Sequence, residues 1–213
     1  MERKITALKA QQHNQSRVSI YLDGEYAFGL SKIVAAWLCV GQILSDKKIK
    51  ALQTEEAREV AYQKALHFIS YRPRSEQEVK ARLKSKGFGE AVITAVAERL
   101  QQNRFLGDEQ FAQDWVENRS TFRPRSKRLL RYELRQKGVS EDDITKALDG
   151  VVDETDLAYQ AANHYAGRLK DLDWEKFRKR LVAFLMRRGF SYGTISPVVS
   201  RVWSELQPEE PET

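Results

Sequence analysis

The sequence is poor in the residues that mark several common classes of protein. It has one cysteine, Cys39, in 213 residues, so no disulfide can form within the chain. The spacing of its three histidines, to one another and to Cys39, fits no metal site. Neither a glycine-rich phosphate loop nor a dinucleotide-binding glycine motif occurs. These absences predict a protein that is not an enzyme and uses no metal and no cofactor.

Long apolar runs are also missing. The sequence contains no stretch of membrane-spanning length and no secretory signal, so we expect a cytoplasmic protein with no membrane partner. Cys39 lies between Leu38 and Val40, and we expect it to be a small buried apolar residue. The charge balance is modestly basic, with 36 Lys and Arg against 30 Asp and Glu and a net charge of +6.

One stretch occurs three times at a fixed spacing. Residues 71–88, 122–139 and 173–190 start 51 residues apart and align without gaps. Matched positions agree in kind: a basic residue, a glycine and an apolar residue end each copy, and a leucine lies four residues before each glycine. The matched glycines and leucines are Gly87, Gly138, Gly189, Leu83, Leu134 and Leu185. Self-similarity at a fixed period is typical of repeat proteins.

Each copy is predicted to be a helix with a defined start and end. Ser75 and Glu78 fit a capping box, in which the two side chains satisfy backbone N–H groups of the first turn. The glycine fits the left-handed position that ends a helix. Further helices are predicted before and after each copy, so that the unit has three helices and its leucine stripe is buried.

The predicted fold is mainly α, with three tandem three-helix repeats in an elongated curved array. Neighbouring repeats are expected to stack, because no single unit can bury its apolar face alone. A small β-hairpin or three-stranded sheet is predicted to precede them. The predicted domains are an N-terminal region at 1–54, repeats at 55–107, 108–152 and 153–206, and a disordered acidic tail at 207–213.

The hairpin is predicted around Asp23-Gly24, between two segments of alternating apolar residues. A two-residue turn would place Ile20 opposite Ala27. A three-residue loop with a left-handed glycine would place Ile20 opposite Tyr26, which gives a better apolar face. We predict the second register.

Other N-terminal elements follow from local signals. Residues 5–10 are predicted to add a third strand, and residues 11–16 to form the connecting loop. Ser31 is predicted to cap a short helix that reaches Leu38. Ser45 is predicted to start another helix, and Thr54 to restart a helix that leads into the first repeat.

The third copy departs from the other two. Pro197 lies beyond the first turn of its last helix if Ser191 is the cap, so that helix either kinks or starts late at Ser196. Val182 and Met186 occupy positions that are basic in the other two copies. We predict that both pack against another element, because the helix is apolar nearly all round.

Basic residues are concentrated on the motif helices and in the loops before them. Lysines and arginines four apart form a stripe on the helices, and like charges at that spacing repel unless an anion uses them. Arginines also flank a proline in each loop, where guanidinium groups suit phosphate or carboxylate. A solvated helix face is the plain alternative. The candidate contacts to a partner or DNA are Arg72, Arg74, Lys80, Lys84, Arg123, Arg125, Lys127, Arg128, Arg131 and Arg135.

The order of these motifs resembles one family. Residues 74–87 read R-S-x-x-E-V-x-x-x-L-x-x-K-G, and Phe111-Ala112, Arg119 and a second E-L-x-x-K-G at 133–138 follow. Together with the Asp23-Gly24 hairpin, they resemble the RecX family of bacterial recombination regulators over residues 17–206. The resemblance implies a partner, the RecA recombinase filament on DNA.

The resemblance also implies an activity. RecX-like proteins lie in the groove of the RecA–DNA filament and damp strand exchange, ATP hydrolysis and co-protease activity. We therefore expect a monomer that contacts RecA, single-stranded DNA and double-stranded DNA. From the residues alone, a stand-alone nucleic-acid-binding protein and a helical scaffold without nucleic acid stay open as alternatives. Lys and Arg dominate the motif helices, which suits phosphates more than base edges.

Overall fold

The computed structural model describes residues 2–151 and 153–206. These residues form two compact units, which divide between Leu106 and Gly107. The first unit holds the N-terminal sheet and the first repeat, and the second holds the other two repeats. The tail at 207–213, predicted from the sequence to be disordered, lies outside the described residues, as does Val152.

The N-terminal region is a four-stranded antiparallel sheet in the order β3-β2-β1-β4. Its strands are β1 (Glu2–Gln11), β2 (Asn14–Leu22), β3 (Glu25–Ser31) and β4 (Ile43–Ser45). The predicted third strand is confirmed as part of β1. The fourth strand was not predicted, and the predicted loop at 11–16 is wrong, because β1 and β2 run into it from both sides and leave only two residues between them.

The register predicted for the hairpin is wrong. Leu22 pairs with Glu25 across a two-residue turn, and Ile20 pairs with Phe28. Both turn residues have positive φ, 51° at Asp23 and 94° at Gly24, as a type I′ turn requires. A register shift between Ile20 and Tyr21 adds one residue to β3, and this bulge combines a tight turn with an apolar face on the core side.

Two helices follow the hairpin in the first unit. The N-caps Ser31 and Ser45 begin α1 (Lys32–Ala35) and α2 (Asp46–Ile69), as predicted. The predicted end of α1 at Leu38 is wrong, because the helix stops at Ala35. The restart at Thr54 is wrong, because α2 is one continuous helix of 24 residues. The Thr54 hydroxyl donates to the carbonyl of Lys50 at 2.9 Å, so the side chain bonds within the helix and caps nothing.

The sheet packs on the first half of α2. Ile5, Ile20 and Leu30 are fully buried and share one core cluster with Leu52 of α2. The side chain of Glu56, also on α2, accepts a hydrogen bond from the backbone N–H of Ser31 at 2.6 Å. The same carboxylate pairs with Arg17 at 2.6 Å. An apolar core and one charged contact therefore hold the sheet to this helix. Cys39, just after α1, is exposed, so the expectation of a buried residue is wrong.

Three groups of helices make up the repeats. The first repeat uses the end of α2 with α3 (Glu76–Ser85) and α4 (Glu90–Gln102). The second has α5 (Asp108–Phe122), α6 (Lys127–Gln136) and α7 (Glu141–Asp149). The third has α8 (Glu154–Ala166), α9 (Trp174–Arg187) and α10 (Tyr192–Leu206). The mainly α class with three three-helix repeats is thus confirmed.

Matched positions of the repeats behave alike. The leucines Leu83, Leu134 and Leu185 are each at most 1% exposed, and each lies in the core cluster of its own repeat. The glycines that follow have φ of 83°, 76° and 86°, so each ends its helix in the left-handed conformation that favours glycine. The capping box of Ser75 and Glu78 is present at the start of α3.

The third repeat answers two open questions. Ser191 accepts a hydrogen bond from the N–H of Thr194 at 3.2 Å, and α10 runs through Pro197. The late start at Ser196 is therefore wrong. Val182 is half-buried against the core of the repeat, whereas Met186 is 57% exposed. Burial of both side chains was predicted, and only Val182 follows it.

Candidate partner and nucleic-acid interface

The loop of the first repeat holds two arginines around one carboxylate. Arg72 meets Glu78 with both of its terminal nitrogens, at 2.8 Å and 3.3 Å. Glu78 also accepts from the backbone N–H of Ser75 at 3.3 Å, as the capping box requires. The cap that starts α3 therefore fixes the Arg72 guanidinium as well, because a bidentate pair sets both distance and orientation.

Arg74 is held differently. Its guanidinium lies 3.9 Å from the centre of the Phe68 ring, and Arg82 approaches the same ring at 5.5 Å. Burial, followed by repulsion from Arg72, lowers the pKa of Arg74 despite the attraction of Glu78. An arginine that stacks on a ring keeps its N–H groups at the ring's edge for other partners. Positive charge therefore exceeds negative charge in this loop.

The loop of the second repeat is organised around Glu133 of α6. Its carboxylate accepts from the indole of Trp115 at 2.9 Å and from Arg119 at 3.2 Å. The same carboxylate pairs with Arg125. The guanidinium of Arg119 also lies over the Trp115 ring, at 4.3 Å. One half-buried acid thus fixes two arginines and an aromatic side chain.

The third repeat adds an arginine to this loop. Arg188 donates to the carbonyl of Pro124 at 2.9 Å and lies 4.5 Å from the centre of the Phe184 ring. Burial, then repulsion from Arg119, Arg188 and Arg123, lowers the pKa of Arg125. Arg119, Arg123 and Arg188 therefore lie close enough to Arg125 for their charges to repel. The sequence analysis did not include Arg188 among the candidates, although its place in the basic-Gly-apolar ending was visible.

The two loops reach a similar arrangement with carboxylates from different positions. In the alignment of the repeats, Glu78 corresponds to Leu129, and Glu133 corresponds to Arg82. Each of these two repeats nevertheless places one acid against an arginine beside its proline, Arg72 in the first and Arg125 in the second. The shared property is therefore an arginine loop with a fixed shape and excess positive charge, which is suited to a phosphate or an acidic side chain.

The helix stripe is less basic than its sequence indicates. Arg131 and Arg135 both pair with Glu141, at 3.2 Å and 2.7 Å, and Lys80 pairs with Glu76 at 2.5 Å. Other members bond to main-chain carbonyls: Lys127 to Val151 and Arg128 to Gly189. Lys84 is exposed. Neighbouring acids therefore balance part of the stripe.

The ten candidates fall into both compact units. Arg72, Arg74, Lys80 and Lys84 belong to the first unit, and the other six belong to the second. Within each unit two arginines pair with one acid, Arg72 and Arg74 with Glu78 and Arg119 and Arg125 with Glu133. Stacked repeats place equivalent faces side by side, so we predict that the helix cations align into one band across the repeats.

Two classes of feature were searched for over residues 2–151 and 153–206. No helix there is long and apolar enough to cross a membrane. In the same residues, no group of three or more His, Cys, Asp and Glu side chains could hold a metal ion.

Comparison with known proteins gives the same family along most of the chain. Family models match the RecX N-terminal domain at residues 3–45 and the first, second and third RecX three-helix domains at 61–100, 108–148 and 153–199. A Regulatory protein RecX from Clostridium botulinum is 31% identical over 92% of this chain and 94% of its own. The chain belongs to the RecX family. The resemblance predicted from the sequence is confirmed.

Further relatives fit the same RecX assignment. The Regulatory protein RecX of Bacillus subtilis is 32% identical over 93% of this chain and 76% of its own length. A crystal structure of regulatory protein RecX superposes with a TM-score of 0.72 at 27% identity, covering 93% of this chain and 99% of that one.

Proposed function

We propose that this chain binds a RecA-type recombinase filament on DNA and inhibits its strand exchange, ATP hydrolysis and co-protease activity. Membership of a regulatory family supports this function. The observation that carries it in the structure is the pair of arginine loops, in which guanidinium groups are held by one carboxylate each. The proposed place of action is the cytoplasm, and the proposed acting form is a monomer.

The proposed contact uses the ten basic residues at two levels. The loop arginines are held in place before binding, so less side-chain entropy is lost when they meet an anion. The helix cations of the stripe can exchange an internal carboxylate for a phosphate or an acidic side chain. A filament on DNA offers both kinds of anion at high density. Binding should therefore weaken as salt rises, because counterion release and screening both act against it.

The decisive experiment measures ATP hydrolysis by RecA on single-stranded DNA. Purified chain, added in increasing amounts to a preformed filament, should slow the reaction, and the chain alone should hydrolyse no ATP. An Arg72→Ala/Arg125→Ala double variant should inhibit more weakly, because each loop loses one fixed guanidinium. An unchanged rate at several-fold excess of wild-type chain over filament would overturn the proposal.

The same samples separate the alternatives. Binding to bare oligonucleotides without any effect on RecA would favour the stand-alone nucleic-acid-binding protein. Absence of binding to both DNA and filament would favour a helical scaffold. Oligonucleotide affinity measured at two salt concentrations distinguishes an electrostatic contact from an apolar one.

A further inference from the structure

Two aromatic side chains lie in the open at the start of the arginine loops. Tyr71 is 72% exposed and Phe122 is 71% exposed, and the two occupy the same position in the first and second repeats. Each immediately precedes an Arg-Pro-Arg sequence. A single apolar ring at the surface needs no explanation, but here two repeats keep one at the same place.

The third repeat provides an internal contrast. The matched residue is Asp173, and no Arg-Pro-Arg follows it. The Asp173 carboxylate caps α9 by accepting from the N–H of Lys176 at 3.0 Å, and it pairs with the Lys176 ammonium. The exposed ring and the arginine loop are thus present together or absent together. This association indicates that ring and arginines serve one ligand.

The surroundings of Tyr71 offer space for that ligand. The ring forms part of a cleft of about 670 Å³ between the N-terminal sheet and the helices of the first repeat. The cleft is also lined by Phe68, His67, Arg82 and Lys86. Its volume is within the range of small-ligand sites. Tyr71 is positioned by His67, whose ring meets it edge-on at 5.0 Å between centroids and shares a 3.1 Å hydrogen bond with its hydroxyl.

The surroundings of Phe122 supply charge of the same sign. Phe122 is the last residue of α5 and precedes Arg123. Arg125 and Arg188 lie in the same loop region, and repulsion from Arg123 contributes to the lowered pKa of both. A flat apolar face beside several guanidinium groups matches one ligand chemistry, which is an aromatic base attached to a phosphate.

We propose that Tyr71 and Phe122 are base-stacking platforms for single-stranded nucleic acid, whose phosphates the adjoining arginines contact. Stacking on an aromatic ring tolerates any base, because every base has a π-face, and a basic track follows the backbone. Duplex DNA keeps its bases stacked on one another, so it can use the arginines but not the rings. The inference rests on the proposed function in so far as DNA is part of the target, and it assigns single-strand preference to two residues.

The experiment uses two labelled oligonucleotides of about 20 nucleotides, long enough for several single-strand sites. One is oligothymidylate, and the other is an abasic strand of the same length that keeps the phosphates but has no bases. Fluorescence anisotropy gives the affinity of the full chain for each, at one fixed salt concentration and without recombinase. The variants are Tyr71→Ala, Phe122→Ala and the conservative Tyr71→Phe, with Trp37→Ala as control because Trp37 is 88% exposed and lies outside both loops.

We expect wild type to bind oligothymidylate more tightly than the abasic strand. Tyr71→Ala and Phe122→Ala should each lower affinity for oligothymidylate by about fivefold to about a hundredfold. Both should leave affinity for the abasic strand unchanged, and Tyr71→Phe and Trp37→Ala should resemble wild type for both strands. Circular dichroism melts confirm that the variants are folded.

Several results would overturn the inference. The first is a wild-type chain that does not bind oligothymidylate or binds both strands equally. The second is an equal loss of affinity for both strands in the alanine variants. The third is a loss of affinity in Trp37→Ala as large as in the alanine variants. If the alanine variants keep their DNA affinity but lose inhibition of RecA, the rings contact protein and the stacking role is wrong. Because no recombinase is present in the binding assay, its outcome is independent of whether the chain inhibits ATP hydrolysis.

Discussion

The backbone N–H of Ser126 donates to the carbonyl of Arg188 at 3.0 Å. Ser126 is the fully buried N-cap of α6, and Arg188 is the C-cap of α9. The Arg188 side chain returns a hydrogen bond to the carbonyl of Pro124. Two hydrogen bonds therefore join the start of α6 to the end of α9. Their acceptor and donor in the second repeat, Pro124 and Ser126, lie on either side of Arg125 in its arginine loop.

Gly189 is predicted to tolerate no side chain at this junction. A Cβ at Gly189 would lie 2.5 Å from the Ser126 hydroxyl oxygen and 2.8 Å from the Leu129 Cβ. Its φ of 86° adds backbone strain of about 1–2 kcal/mol, and crowding adds about 1–3 kcal/mol. Gly189→Ala should therefore reduce local stability by about 2–5 kcal/mol, measured as faster amide hydrogen exchange in α6 and α9.

Gly87→Ala is the matched control for Gly189. Gly87 has nearly the same φ, 83°, but a Cβ there would meet no atom within 4 Å. Only the strain of about 1–2 kcal/mol should remain, with faster exchange confined to the first repeat. Equal losses for the two alanine variants would show that contact with Ser126 and Leu129 contributes nothing.

Leu134→Ala is predicted to destabilise the second repeat. Leu134 is fully buried in the cluster with Leu130 and Ile144, and the cavity left by the substitution should cost about 2–5 kcal/mol in free energy of unfolding. Tyr132 of the same helix is 59% exposed, so Tyr132→Ala should change stability by less than about 0.5 kcal/mol. Urea unfolding of both variants tests this, and a midpoint unchanged by Leu134→Ala would contradict it.

Charge reversal tests the stripe. Arg131→Glu/Arg135→Glu should weaken inhibition of the RecA filament, because two cations become anions beside Glu141. Lys47→Glu/Lys50→Glu is the control, since it reverses two exposed lysines of α2 and changes net charge equally. Inhibition curves at low and high salt compare the three proteins. Equal inhibition by all three proteins would show that the stripe is a solvated helix face and does not contact the filament.

Glu59 is predicted to give the first unit a pH-dependent contribution to stability. Burial alone would raise the pKa of this carboxyl, but hydrogen bonds from Arg99 and Gln63, both at 2.8 Å, outweigh burial and lower it. The stabilisation is therefore present at neutral pH and is lost as pH falls below the ordinary value of 4.5. Glu59→Gln should cost about 1.5–3 kcal/mol at neutral pH, and progressively less in acid.

Urea unfolding of wild type and Glu59→Gln across this pH range measures the change. Glu55→Gln serves as control, because Glu55 is exposed on the same helix and its pair with Arg58 spans one turn. Its effect should stay within about 0.5 kcal/mol at every pH. A cost for Glu59→Gln that did not fall in acid would disprove the linkage.

The repeats could be predicted because their signals are local. Ser75 and Glu78 are three residues apart, and Gly87 ends the helix that they begin. The buried stripe through Leu83 follows from helical spacing alone. Helix caps and buried stripes of this kind are set by residues a few positions apart in the sequence. The same pattern also occurs three times at a fixed spacing, which makes it easier to recognise.

The errors concern contacts that local patterns do not encode. The bulge beside Tyr21 depends on which faces of the sheet meet the core, and β4 consists of three residues that pair with β1, about 40 positions away in the chain. Thr54 resembled a cap, but the continuous packing of α2 overrides that weak preference. Cys39 was judged from its two neighbours, which do not determine its exposure.

The candidate site was predictable in composition but not in geometry. The sequence identified the loop arginines, yet nothing local indicates that Glu133 would join Arg119 to Arg125. Arg188 reaches the loop from 64 residues away in the chain. Pairing of Arg131 with Glu141 likewise depends on the turn between α6 and α7. Charge counts therefore overstated the stripe and missed part of the loop cluster.

The unbroken α2 has a mechanical consequence. At about 1.5 Å per residue its 24 residues form a rod about 36 Å long. Its first half is clamped to the sheet through Leu52 and Glu56, and its second half carries Ala61 and Ala65 in the core of the first repeat. A force on the hairpin is therefore transmitted along a stiff lever to Tyr71. Deleting the sheet would leave the first half of that lever without its packing partner and the first repeat without its anchor.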